Sequence, residues 1–237
     1  MVSRVTVVAA RRRSVSVLPT PLGPSMAMAG SSGRSSSSGL TGALVGRVES
    51  VTAATGQFIT ERPIPAKVGV GHSGYELSDE KGPVENEDYI GILARLEGGV
   101  VASFEASRVA VGPRAEYVVE VYGSEGSLRW NFEYMNDLQL CLGRGNEFPG
   151  YTRVMAGANF PYFSTFQPSA GTSMGYDDMK TIEAAQFIES VLTGTQIAPS
   201  AADCWSAAEV DEAAMRSAAD GQWHDVPRVD GPVTYNS

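Results

Sequence analysis

The glycines at positions 69, 71 and 74 have the spacing that most directly suggests chemistry. Gly69, Gly71 and Gly74 reproduce the Gly-x-Gly-x-x-Gly pattern, in which a strand and a tight turn deliver a dinucleotide pyrophosphate to a helix N-terminus. Two prolines precede these glycines and leave little room for a buried strand. The residues that follow, 75–86, have no helical apolar period. A flexible glycine loop is the favoured interpretation, and no residue is assigned to cofactor binding.

Histidine and cysteine are too scarce to build the common metal or nucleophile sites. The two histidines, His72 and His224, leave little scope for a histidine-rich metal site or a Ser/His/Asp relay. Both are expected to be solvated side chains. Cys141 and Cys204 lie far apart and match no metal-binding or redox spacing. They are predicted to be buried, reduced thiols of a cytoplasmic protein, and no metal site is predicted.

Carboxylates are plentiful, and three of them cluster ahead of a predicted strand. Glu85, Glu87 and Asp88 have the residue type of an acid–base pair. Such clusters are more often a solvated face or a hairpin cap. Nothing in these residues establishes an enzyme, and none is assigned as catalytic.

The elements that must position these side chains begin with a run of strands. Apolar and polar residues alternate most clearly in 89–96, as in a half-buried strand, and the glycines that follow suit a tight hairpin. Long loops are expected at 64–87 and 143–176, and an extended segment at 47–59. Five consecutive strands are expected, at 89–96, 100–107, 117–122, 127–132 and 138–142. Short turns between consecutive strands indicate an antiparallel sheet.

Two helices follow the strands. Asp177 or Asp178 can cap the first helix, which stops at Gly194. Ser200 and Asp203 form a capping box for the second, whose core-facing residues are expected to be Ala207, Ala208, Met215 and Ala218. Strands followed by helices indicate an α+β fold. We expect an open, mainly antiparallel sheet with the helices packed on one face, and no Rossmann domain.

The first 41 residues differ in composition from the rest. No acidic residue precedes Glu49, and the segment 31–39 is rich in Ser and Gly. Residues 1–41 are predicted to be a disordered or aberrant leader, and residues 42–237 an α+β domain. A targeting peptide is an alternative, whereas the short apolar stretch 14–18 argues against an export signal. Translation of a GC-rich gene in a shifted frame would also produce such a composition.

The overall charge and hydropathy exclude two classes of partner. The formal net charge is −9 at pH 7, and an acidic chain repels phosphate backbones, so no nucleic acid is expected to bind. No run of 18 apolar residues is present, and no membrane association is expected.

Several short stretches, taken in order, resemble one known family. The resemblance is to the C-terminal domain of the glucose–fructose oxidoreductase / inositol dehydrogenase / MocA family and covers roughly residues 43–228. It is carried by Asn86–Ile90, Phe104–Arg108, Tyr122–Leu128, Gly175–Asp178 and Leu192–Gly194.

The resemblance implies a sugar oxidoreductase, but one that is incomplete. Family members join an NAD(P)-binding Rossmann domain to an α+β domain that completes the pocket for a sugar or cyclitol. The opposite sheet face commonly packs against another subunit, which implies a homo-oligomer here. This sequence has no counterpart of the Rossmann domain or of its catalytic lysine, and the segment 31–44, where the family has an Asp-x-x-x-His helix, has neither Asp nor His. An N-terminally truncated protein, inactive alone and without bound NAD(P), is therefore expected.

Three residues are candidates for binding a small sugar or polyol in the retained domain. Arg108 has five fixed donors for hydroxyls or a carboxylate, and Tyr162 and Tyr176 could supply a stacking face and a hydroxyl. The alternative is an ion pair of Arg108 with Glu105 or Glu116, and core packing for the tyrosines. A non-catalytic sugar-binding or oligomerisation module, or half of an enzyme completed by a separate Rossmann chain, are the alternative functions.

Overall fold

A computed structural model of the chain describes residues 2–8, 46–67, 76–143, 150–158, 160, 162–167, 169, 171–197 and 199–229. Within these ranges the strands are β1 (Val2–Val8), β2 (Val48–Gly56), β3 (Glu61–Lys67), β4 (Glu76–Pro83), β5 (Tyr89–Leu96), β6 (Val100–Ser107), β7 (Tyr117–Tyr122), β8 (Gly126–Asn131), β9 (Asp137–Leu142), β10 (Thr152–Met155) and β11 (His224–Asp225). The α-helices are α1 (Phe163–Phe166), α2 (Tyr176–Thr193) and α3 (Ala201–Asp220). Two short 3₁₀ turns, Glu97–Gly99 and Phe132–Tyr134, follow β5 and β8.

Nine of these strands form one open sheet. Their spatial order is β10-β9-β8-β7-β1-β6-β5-β2-β11. Each neighbouring pair is antiparallel except β1 and β7, which run parallel. The remaining strands, β3 and β4, pair as a separate antiparallel ribbon. The fold is therefore α+β with an open, mainly antiparallel sheet, as the sequence predicted.

The middle of the sheet is supplied by β1, which lies in the segment expected to be a leader. Val5 lies opposite Phe104 of β6 on one side and Val119 of β7 on the other, and its side chain is 1% exposed. Val7 is buried in the same way. The expectation of a disordered leader is thus wrong for residues 2–8, because alternating valines complete a buried face. Residues 9–41 lie outside the described residues.

The core lies on one face of this sheet. In β5 the side chains of Ile90, Ile92, Ala94 and Leu96 are buried, whereas the residues between them are not. Helix α3 packs against this side near β2 through Val210, Ala213 and Ala214, and Ala207 of the same helix is also buried. Of the helix residues expected to face the core, Ala208 is exposed. The structure thus confirms the two-residue period predicted for 89–96.

The helix ends largely follow the sequence signals. The capping box of α3 is present: Asp203 N donates to Ser200 Oγ at 3.3 Å, and Ser200 N donates to Asp203 Oδ2 at 2.6 Å. Helix α2 begins after Gly175, whose N–H donates to Asp178 Oδ2 at 2.8 Å, so Asp178 stabilises the first turn from inside the helix. Both helices end at a glycine with positive φ, Gly194 and Gly221.

The loops that the sequence predicted contain short regular elements. Part of β3 and all of β4 lie within 64–87, and β10 and α1 lie within 143–176. The residues of β3 are all exposed, so no buried alternation marked them in the sequence. No helix of the described ranges has the length and apolar character needed to cross a membrane.

Candidate functional site

The carboxylate cluster before β5 is a structural anchor. Asp88 is 1% exposed, and its Oδ2 accepts hydrogen bonds from the backbone N–H groups of Phe58 and Ile59, at 2.8 Å each. Its Oδ1 accepts from Arg62 Nη2 at 3.1 Å. These bonds tie the connection between β2 and β3 to the start of β5. Sequence reasoning considered a hairpin cap here and did not single out Asp88 as the buried member.

The same contacts set the charge state of Asp88. The hydrogen bonds from Ile59 and Phe58, and then the Arg62 guanidinium, lower the pKa of Asp88 below its ordinary value, although burial opposes them. A carboxyl group with a lowered pKa stays ionised at neutral pH and is a poor general acid. Asp88 therefore holds the backbone and is not suited to proton transfer.

Arg108, the first candidate for ligand binding, lies at the end of β6 beside this anchor. Its backbone N–H donates to the Asp88 carbonyl at 2.9 Å, and its guanidinium donates to the carbonyl of Glu87. The side chain is exposed. The alternative ion pair with Glu105 or Glu116 is not among its described contacts. At least one of its five donors is thus used to hold the backbone at the start of β5.

The two tyrosine candidates lie at α2. Tyr162 precedes α1 with a positive φ of 67°, and its hydroxyl accepts a hydrogen bond from Gln186 Nε2 at 2.9 Å. Tyr176 begins α2, and its ring lies 5.5 Å from Lys180 Nζ. Both rings are partly exposed, which contradicts core packing. Among the described contacts, none joins Arg108 to either tyrosine, so a shared site for the three residues stays a prediction.

The scarce histidine and cysteine residues have ordinary roles in the described part of the chain. His224 Nε2 lies 2.8 Å from Asp220 Oδ2, so it forms a pair with a carboxylate and is not simply solvated. Cys141 and Cys204 are free, but Cys204 is exposed and Cys141 half-buried, so the expected burial is wrong. No group of three or more metal-binding side chains occurs within the described ranges. The Gly69–Gly74 segment and His72 lie outside those ranges.

The face of the sheet opposite the core exposes apolar side chains on four neighbouring strands. Val8 of β1 lies opposite Val101 of β6 and Tyr122 of β7. These three side chains and Leu93 of β5 are between 37% and 52% exposed. They stand on the pleat opposite to the core residues. Val101, Val8 and Tyr122 lie side by side in one row, and Leu93 lies two residues along β5 from Arg95, the β5 partner of Val101. We call these four residues the open-face patch.

Charged side chains beside the open-face patch compensate one another. Glu120 Oε1 lies 3.2 Å from Arg129 Nε across β7 and β8, and its Oε2 accepts from Thr6 Oγ1 at 3.3 Å. Arg4 and Glu105 lie directly opposite each other on β1 and β6, an arrangement that favours opposite charges. These four charged side chains sum to zero, whereas the whole chain has a formal net charge of −9.

Comparison with known proteins gives this architecture a family. Residues 40–129 match a family model described as the GFO/IDH/MocA C-terminal domain. The chain carries a GFO/IDH/MocA C-terminal domain. This agrees with the resemblance drawn from the short motifs between Asn86 and Leu128, all of which lie inside the matched range.

Relatives of known activity are similar over a longer span. Levoglucosan dehydrogenase from Pseudarthrobacter phenanthrenivorans is 33% identical over 189 residues, which is 78% of this chain. This GFO/IDH/MocA chain spans 48% of the length of that enzyme. The similarity therefore covers about half of the relative's length.

Solved structures of similar fold extend the match to nearly the whole chain. Levoglucosan dehydrogenase in complex with NADH and L-sorbose superposes with a TM-score of 0.75 at 28% identity, covering 97% of this chain and 59% of that one. An oxidoreductase domain protein from Kribbella flavida gives a TM-score of 0.74 at 28% identity, covering 95% and 59%. In both comparisons this GFO/IDH/MocA chain corresponds to a little over half of the longer protein.

Proposed function

We propose that this chain supplies the substrate-side and subunit-pairing domain of a cytoplasmic NAD(P)-dependent sugar or cyclitol oxidoreductase. The observation that supports subunit pairing is the open-face patch, which leaves apolar side chains exposed on four central strands of a nine-stranded sheet. Burying such a surface against another protein is favourable. A second copy of the same chain fits because an isologous contact pairs this patch with itself.

The charges around the patch favour this self-association. The whole chain carries a net charge of −9, which would oppose the approach of two copies. On the open face, however, Glu120 is neutralised by Arg129 at 3.2 Å, and Arg4 lies opposite Glu105. Two such faces meet without a net local repulsion, so apolar burial determines the outcome.

The pairing is tested with one substitution in the patch and one outside it. Val101→Glu places a charge at a half-exposed position of β6, whereas Val191→Glu places the same charge on the exposed surface of α2. We expect a dimer for the parent chain and for Val191→Glu, and a monomer for Val101→Glu, by light scattering after size-exclusion chromatography. A parent chain that is monomeric at high concentration, or a Val101→Glu variant that still dimerises, would rule the pairing out.

The catalytic part of the proposal rests on the relatives. Solved levoglucosan dehydrogenases bind NADH together with L-sorbose or levoglucosan, so cyclic sugars are the substrate class to test. Hydride transfer requires a bound nicotinamide and a group that accepts the hydroxyl proton. Asp88, the buried carboxylate of the described part, is committed to Phe58 and Ile59. We therefore expect the chain to be inactive alone.

Enzyme assays separate this proposal from its alternatives. The chain alone is mixed with NAD⁺ or NADP⁺ and with levoglucosan or L-sorbose, and NADH or NADPH formation is followed by the absorbance of the reduced nicotinamide. No turnover alone, with turnover after addition of a separate Rossmann-bearing chain, would identify half of a two-chain enzyme. Sugar binding without turnover in either mixture would indicate a non-catalytic module. Turnover by the chain alone would contradict the proposal.

A further inference from the structure

A cleft at the far edge of the sheet has the dimensions of a small-molecule site. It has a volume of about 350 Å³, which is within the range of ligand pockets, ~300–1,000 Å³. The 3₁₀ turn after β8 and the ends of β9 and β10 form one side, and the segment that leads into α2 forms the other. We call it the edge cleft. None of the candidates Arg108, Tyr162 and Tyr176 lines it.

The walls of the edge cleft are joined by one amide side chain. Asn136 Nδ2 donates to the carbonyl of Met174 at 2.9 Å, and Met174 N donates back to Asn136 Oδ1 at 2.9 Å. The carbonyl of Asn136 also accepts from Ala156 N at 2.8 Å. Three segments that are distant in sequence are thereby fixed together, so the cleft exists before any ligand arrives.

The groups that face the cleft suit hydroxyl groups. Arg153 Nη2 lies 2.7 Å from Asp137 Oδ2, and the Arg153 side chain is still 63% exposed. The pair presents guanidinium donors and carboxylate acceptors side by side, which matches adjacent hydroxyls that both donate and accept. The ring of Tyr134 is 67% exposed and offers an apolar face for the C–H side of a sugar ring.

These same three residues mark the centre of a larger hollow. A second depression of about 260 Å³ adjoins the first and shares Tyr134, Asp137 and Arg153 with it. It continues over β8 and β9, where Arg129 and Gln139 line it. Donors, acceptors and an aromatic face therefore converge where the two hollows meet.

The charge of the edge cleft selects a neutral ligand. Two carboxylates, Glu133 and Asp137, and one guanidinium, Arg153, line it, and Arg129 of the adjoining depression adds a second guanidinium. The joined hollow therefore has no net positive charge to attract phosphates or carboxylates. Glu133 Oε1 is already held by the N–H groups of Arg114 and Ala115, at 2.7 and 2.9 Å. No three-membered cluster of metal ligands occurs in the described ranges, so nothing here favours a metal ion over an uncharged ligand.

The geometry points to the edge cleft as a binding site for a neutral monosaccharide or cyclitol, with Tyr134 as the stacking face and the Arg153–Asp137 pair as the hydroxyl clamp. The site depends on the residues of the cleft alone and requires neither subunit pairing nor a cofactor domain. Its failure is therefore distinguishable from failure of the proposed function, which is measured by oligomeric state and turnover.

The test uses D-glucose and myo-inositol as neutral probes, and D-gluconate and glucose 6-phosphate as anionic comparators. Each is titrated into the ¹⁵N-labelled full chain while amide shifts are followed. We expect saturable shifts in residues 133–137 and 171–174 for the neutral probes and weaker binding of the anions. Tyr134→Ala and Arg153→Met should each weaken binding about tenfold, whereas Tyr176→Ala, a matched exposed tyrosine, should bind as the parent does.

Three outcomes would overturn the site. They are the absence of saturable binding by both neutral probes, parent-like binding by both cleft variants, and tighter binding of the anions than of the neutral probes. Shifts that concentrate at Tyr162 and Tyr176, and are lost in Tyr176→Ala, would place the ligand at α2 instead. Because Tyr134 and Arg153 are exposed, both variants are expected to fold, and circular dichroism checks this.

Discussion

Asn136 and Met174 hold each other by a reciprocal pair of hydrogen bonds, each 2.9 Å long, although they are 38 residues apart in sequence. The side-chain amide of Asn136 thus provides hydrogen-bond partners for both the backbone N–H and the C=O of Met174, as a neighbouring strand would. This pair connects the sheet edge to the segment that begins α2.

We expect Asn136→Ala to destabilise the chain by about 2 kcal/mol, because it leaves the N–H and C=O of Met174 without partners. Asn136→Asp retains the acceptor for Met174 N and should cost less. Urea unfolding measures both, and Asn86→Ala, at an exposed asparagine, serves as the control. Equal stability of Asn136→Ala and Asn86→Ala would show that the pair contributes nothing.

The central position of β1 can be tested by comparing two of its valines. Val5 is 1% exposed and Val8 is 52% exposed. Val5→Ala should lower the free energy of unfolding by about 2 kcal/mol through lost burial and a small cavity, and Val8→Ala by less than about 0.5 kcal/mol. Chemical denaturation measures both values. If both substitutions were neutral, residues 2–8 would not form part of the folded sheet.

Asp88 should make the chain sensitive to acid. Because its folded pKa is lowered, the stability that it contributes is present above its unfolded pKa, about 3.9, and is lost as pH falls through the lower folded pKa. Asp88→Ala removes the acceptor for Phe58 N and Ile59 N and should reduce the Tm at pH 7 by about 5 °C. It should also flatten the dependence of Tm on pH below about pH 4. Glu85→Ala, at an exposed carboxylate in the same cluster, is the control, and an identical acid profile in parent and Asp88→Ala would disprove the role.

Tyr117 should make the stability of the folded chain fall at alkaline pH. Burial raises the pKa of its phenol above the ordinary value, so stability is complete below about pH 10 and falls as pH rises above it. Its hydroxyl is buried and has no hydrogen-bond partner among the residues that the structure describes, and Tyr117→Phe should therefore be neutral or stabilising by up to about 1 kcal/mol. The variant should lose less stability than the parent between about pH 10 and 12. A destabilised Tyr117→Phe would mean that the hydroxyl has a partner in solution.

The hairpins of the sheet were predictable because their signals are local. The alternation of Ile90, Ile92 and Ala94 and the glycines that follow, Gly98 and Gly99 with φ of 77° and 79°, lie within a few residues of one another. Strand β1 carries the same alternation, but its partners lie about a hundred residues later and the arginines and serines after it obscured the pattern. Only the completed sheet shows that a strand is needed there.

The candidate sites were less predictable for a related reason. Arg108, Tyr162 and Tyr176 were chosen by residue type, yet the described hydrogen bonds commit Arg108 to Glu87 and Tyr162 to Gln186. The edge cleft is assembled from the end of β9, from β10 and from the segment before α2, and β10 itself was expected to be loop. A short turn between the strands 127–132 and 138–142 was expected, but the hydrogen bonds of Asn136 with Met174 depend on tertiary packing.

The pairing of β1 with β6 and β7 has a consequence for biosynthesis. Val8 and Val101, which face each other, are 93 positions apart along the polypeptide, so a ribosome releases the central strand long before either of its neighbours emerges. Until then Val5 and Val7, which are buried in the folded sheet, have no strand to cover them. An uncovered strand can pair with another nascent chain. Maturation of this protein should accordingly be slow and should benefit from a chaperone that shields the amino-terminal segment.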